Sequence, residues 1–196
     1  MEWHESDAAG FNFTAAMERL CADMVSRLGE LQHIELDRVA FNLCQARKDV
    51  SHGLYASLTP LRFENGATQK NLHGKRYAVD RVWNLAGREY LYILSFYLPR
   101  FMNTSVEEKL STVLHELWHI SPMFNGDLRR HEGRCYAHGP SQSDYDAQMD
   151  RLAQKWLALG PSEHLYDFLL YSFQELAAEY GSVIGSRWPT PKLELL

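Results

Sequence analysis

A chain of 196 residues, 45% apolar and 12% aromatic, is long enough for one globular domain with its own core and too apolar for a disordered segment. A net charge of −5 with no dominant basic run gives no reason to expect a nucleic-acid partner. There is no apolar run of membrane-spanning length, no signal core follows the acidic first residues, and three scattered cysteines read as free thiols; together these predict a cytoplasmic protein with no membrane partner.

Residues 1–12 read as a loose tail. Residues 14–28 read as a helix, with Met17, Leu20, Met24, Val25 and Leu28 on one face and Gly29 at its end. Residues 38–46 alternate, with Val39, Phe41 and Leu43 opposed to Asn42 and Cys44, as in a half-buried strand. Residues 54–63 read as an edge strand because Pro60 interrupts them. Residues 64–74 are rich in turn signals. Residues 76–83 and 89–98 are predicted to form a hairpin around Ala86-Gly87, the second limb apolar on both faces and therefore covered. Its edge is also a candidate for taking up an extended peptide. After a central helix near residues 106–121 come a glycine- and proline-punctuated loop (132–143), a helix over 145–159, a last helix from Ser162 to Tyr180, and a loose tail from 187.

The central helix carries the chemistry. Thr104 or Ser105 can cap it, Glu107 or Glu108 can complete a capping box, and Pro122 stops it. Leu110, Val113, Leu114, Leu117 and Trp118 form its apolar stripe. Within it lies H-E-x-x-H: His115, Glu116 and His119. Positions i and i+4 share a helix face, so two imidazoles can grip one divalent ion while the intervening glutamate reaches a metal-bound water. A catalytic zinc needs a third protein ligand. After a turn at Gly126, His131 is the preferred candidate, His138 the main competitor, and Glu175 or Glu179 a further alternative; Cys135 is weaker. Glu116 would be the general base. Asp127 would orient a ligand histidine or simply hold a turn. Arg129, Arg130, Arg134 and Tyr136 are candidates for stabilising an oxyanion, with ordinary surface or core duty as the alternative.

The segment H-E-L-W-H-I-S-P-M-F-N-G-D-L-R-R-H resembles the zincin metallopeptidases. More narrowly it is similar to a family of bacterial, archaeal and phage metallopeptidases with an H-E-L-x-H-I block, a glycine and an L-R-x-H ending. It is distantly similar to the SprT-type zincins, whose third histidine also comes late. The resemblance implies one Zn2+ per chain on His115, His119 and His131, catalysis through Glu116, and a sheet edge that accepts peptide. The expected architecture is thus α+β and zincin-like: a small mixed or antiparallel sheet against an active-site helix, flanked by N- and C-terminal helices, in a single domain over residues 1–196. The expected function is zinc-dependent hydrolysis of a peptide or protein substrate. The alternatives are a zinc hydrolase acting on a non-peptide amide and a non-catalytic zincin-fold module that binds a protein partner. Oligomeric state is left open.

Overall fold

The computed structural model describes residues 10–46, 53–130 and 142–196. Strand β1 (Phe11–Asn12) leads directly into helix α1 (Phe13–Arg27). Asn12 caps that helix, its Oδ1 accepting the Ala15 N–H at 3.1 Å, and Met17, Leu20 and Met24 are fully buried along one face. Residues 11 and 12 are therefore fixed in a strand, not loose as expected.

Strands β2 (Val39–Gln45) and β3 (Ala56–Pro60) come next, then a hairpin of β4 (Gln69–Leu72) and β5 (Lys75–Val79), and then β6 (Tyr92–Leu98). The principal sheet has the order β2-β6-β3, with β2 and β6 parallel and β6 and β3 antiparallel. The hairpin expected between residues 76–83 and 89–98 does not form a sheet. A short hairpin does form over residues 82–90, through the Trp83–Glu89 bridge and the Tyr90 N–H to Val82 O and Asn84 N–H to Arg88 O bonds, both 2.8 Å; beyond it β5 pairs with β4 and β6 enters the principal sheet. The cause is composition: β6 is apolar on both sides and is stable only between two strands and two layers. Being central, it has no free edge for a peptide; the edges belong to β2 and β3.

β2 is buried on both faces rather than one. Val39, Phe41 and Leu43 face the main core with Leu94, Phe96 and α1, while Ala40 joins Leu61 and Ile93 in a smaller cluster under Val79, Val82, Tyr90 and Trp188. The polar pair of the sheet is satisfied internally. Asn42 Nδ2 donates to Ser95 Oγ at 3.0 Å, and Asn42 Oδ1 accepts the Trp188 N–H at 2.9 Å.

Helices α2 (Val106–Trp118) and α3 (Gln142–Ala158) pack against each other, and α2 also packs against β3. The helix expected from Ser162 to Tyr180 is broken into two 3₁₀ turns, Glu163–Leu165 and Asp167–Leu170, before α4 (Phe173–Tyr180), because Ser172 starts a new capping box with Glu175. β7 (Val183–Ile184) pairs parallel with β1, and β8 (Leu193–Leu195) adds to β5, so the final segment is ordered strand where a loose tail was expected. The class is α+β, with a mixed sheet and flanking helices. No described helix is long and apolar enough to cross a membrane.

Candidate functional site

α2 is positioned by both its ends and by its stripe. Ser105 Oγ accepts the Glu108 N–H at 3.1 Å, and Leu110, Val113, Leu114 and Leu117 are buried, each contributing about 2 kcal/mol relative to exposure. The opposite face carries His115, with His119 at the C-cap. Their Nε2 atoms are 3.0 Å apart, so one ring donates and the other accepts. Tyr145, from α3, packs edge-on to His115 at 4.9 Å and stacked with His119 at 6.0 Å; it is 4% exposed. Burial, reinforced by Glu116, pushes the Tyr145 phenol upward, so it stays protonated. Tyr145 was missed in the sequence because it continues the apolar stripe of α3 through Met149 and Leu152 and looks like core.

Glu116 is 8% exposed. Burial pushes its carboxyl up to about 7, against a backbone hydrogen bond from Leu58 on β3 that favours the charged form. It lies in a groove of about 680 Å³ between β3, α2 and α3. Leu54, Tyr55 and Ala56 form one wall; Ser111, Thr112, His115 and Met149 contribute to the other. Four further carboxylates line it, from Glu107, Glu108, Asp146 and Asp150, and among the described residues no lysine or arginine does.

Beyond His119 the chain turns back on itself. Ile120 bridges Leu128, Arg129 N–H donates to His119 O at 2.7 Å, and Tyr92 clamps the turn, its hydroxyl donating to Asp127 O at 2.8 Å and accepting from Gly126 N at 3.0 Å. Gly126 has φ +84°, and a Cβ there would come within 2.5 Å of Arg62 Cγ, so both backbone and space require glycine. Asp127 serves this turn. It accepts from Asn65 N (2.9 Å), Leu128 N (2.8 Å) and Arg130 Nε and Nη2 (both 3.1 Å). Burial pushes its carboxyl up, but Arg130 and the two N–H groups outweigh that and hold it below the usual range. Asp127→Asn is expected to cost about 2 kcal/mol in urea unfolding at pH 7, because two acceptor sites and an ion pair are lost from a buried position.

Neither Asp127 nor Arg130 is directed to the histidine pair as expected. Arg130 is engaged with Asp127, and Arg129 lies over the Trp118 ring at 4.1 Å with Nε donating to Trp118 O. Glu175 closes the cap of α4, accepting from Ser172 N at 2.7 Å. His131, Arg134, Cys135, Tyr136 and His138 lie outside the described residues.

No protein-family model, curated protein or solved structure matches the chain. The resemblance to zincin metallopeptidases is therefore unsupported and is corrected here. The expected zinc centre is corrected with it: among the described residues no group of three or more His, Cys, Asp or Glu is placed to hold a metal. A catalytic zinc takes three protein ligands, whereas His115 and His119 supply two, and Glu116, Asp127 and Glu175 are each committed to backbone partners. Bound Zn2+, zinc-dependent peptide hydrolysis and the active-site designation of α2 accordingly have no support in the fold. What remains is an acidic groove beside a sheet edge, lined by His115 and a buried glutamate.

Proposed function

We propose that the chain is a single peptide-binding domain that takes an extended, cationic segment of another protein as an added strand along β3. One observation carries this reading: β3 is the edge of the principal sheet, and its free side opens on the groove. Tyr55 and Leu61 turn their backbone toward β6, through Tyr97 N–H to Tyr55 O and Leu61 N–H to Leu91 O, both at 2.9 Å. Alternation then points the backbone of Ala56 and Leu58 away from β6; the Leu58 N–H is taken by the Glu116 carboxylate, and Ala56 lines the groove. Main-chain hydrogen bonds to such an edge give affinity, and the side-chain lining gives selectivity. The five groove carboxylates favour a segment carrying lysine or arginine and disfavour an acidic one. Cys21 and Cys44 are free thiols, which accords with a reducing, cytoplasmic setting for such a module.

The test uses fluorescein-labelled heptapeptide pools, basic and acidic, titrated against the protein by polarisation. The basic pool is expected to bind and to weaken as salt is added. Ala56→Pro deletes a groove-facing donor without touching the ladder to β6, and should weaken binding about tenfold with an unchanged far-UV spectrum. His115→Ala should retain binding. Equal binding by Ala56→Pro, or cleavage of peptide that disappears in Glu116→Gln, would sink the reading.

A further inference from the structure

The peripheral sheet has the order β4-β5-β8, which leaves β8 at an edge. Its register is set by Asp80 N–H donating to Lys192 O at 3.1 Å and Leu196 N–H donating to Arg76 O at 3.0 Å, with Glu194 opposite Ala78. The backbone groups of Lys192, Glu194 and Leu196 therefore face β5. By alternation those of Leu193 and Leu195 face outward, where no described strand meets them. The side chains of Leu193 and Leu195 are 51% and 59% exposed. A free edge with two exposed leucines is a surface that normally acquires a partner.

We propose that the partner is a second copy of this chain, joined through β8 in an antiparallel pair about a twofold axis at Leu193. The charges select both occupant and register. With the axis at Leu193, Lys192 stands opposite the partner's Glu194, and symmetry repeats that pair. These are the non-hydrogen-bonded positions, where cross-strand side chains come closest. Placing the axis at Glu194 sets that carboxylate against its own copy, and placing it at Leu195 sets Glu194 against a leucine. β4, the opposite edge, carries Lys70 as its one charge and has no acidic residue to set against it. The strand thus encodes its own complement, as a twofold interface requires. The joined edges form one six-stranded sheet, separate from the sheet whose edge is β3.

Sedimentation equilibrium of the full chain tests this. The wild type is expected to show a monomer–dimer equilibrium. Lys192→Glu and Glu194→Lys should each raise the dissociation constant about tenfold, since two attractive pairs become two repulsive ones. The double variant Lys192→Glu/Glu194→Lys restores opposite charges and should return close to the wild-type value. Both side chains are exposed, so far-UV spectra should be unchanged. A wild type that stays monomeric at millimolar concentration overturns the proposal. So does a dimer that both single variants leave intact, or a double variant no better than the singles.

Discussion

Glu116→Gln is expected to stabilise the fold by about 3 kcal/mol at pH 8 while leaving stability unchanged below pH 4. The carboxyl titrates near 4.5 when unfolded and about 7 when folded, because burial disfavours its charge. Between those values the folded chain holds a proton that the unfolded chain releases. The stability carried by the neutral carboxyl is thus complete below pH 4.5 and is lost as pH rises through 7. Glutamine keeps the acceptor for the Leu58 N–H but never pays the cost of burying a charge. Thermal unfolding at intervals from pH 4 to 8 measures this directly. The two melting curves should coincide at the acid end and separate by roughly 6 to 12 °C at the alkaline end. Parallel profiles at every pH would show that Glu116 reaches solvent in the folded state. The effect also bears on the groove: near neutrality Glu116 is poised between its forms, so a cationic side chain entering there would draw it to the charged form and release a proton.

Lys109→Ala is expected to lower stability by about 4 kcal/mol. Lys109 is 2% exposed, and its ammonium donates to Leu169 O at 2.7 Å and Tyr171 O at 3.0 Å. Those carbonyls belong to the turn that precedes α4 and stay buried when the ammonium is deleted. Alanine also leaves the volume of the stem unfilled. Lys109→Met restores that volume and should recover about half the loss, separating packing from hydrogen bonding. Urea midpoints of the three proteins provide the measurement. A change below about 1 kcal/mol for Lys109→Ala would mean that the ammonium is a solvated surface charge. Nothing in the local sequence marks this residue, since a lysine that follows Glu107 and Glu108 on a helix looks exposed.

The local signals were legible where one short segment decides the outcome. Ser105 caps α2, Pro60 marks the edge strand, and the spacing of His115 and His119 brings two imidazoles together. Signals that depend on distant segments were not. Whether a third ligand meets the histidine pair depends on the path of the chain after Gly126, which spacing does not determine. The limbs on either side of Ala86-Gly87 have hairpin turn chemistry, yet the two-sided apolarity of β6 takes it to β2 and β3 instead. Tyr145 looks like any core aromatic until α3 is laid against α2. The strands at 183–184 and 193–195 are too short to register in any periodicity and exist only because β1 and β5 offer them edges.

Ser186 N–H donates to Thr14 Oγ1 at 2.9 Å across 172 positions of sequence, and Gly185 sits so close that a Cβ would meet Thr14 at 2.9 Å. β1 finds its only described neighbour in β7, and β5 has β8 beyond it. During synthesis, therefore, the first helix emerges from the ribosome well ahead of the segment that closes over its start, 172 positions later. The principal sheet can assemble earlier, with Val79, Val82 and Tyr90 over its far face, but Trp188 completes the cover of Ala40 and Ile93 only when it arrives. The fold therefore closes late in synthesis, and until then the apolar strands are left without their last cover.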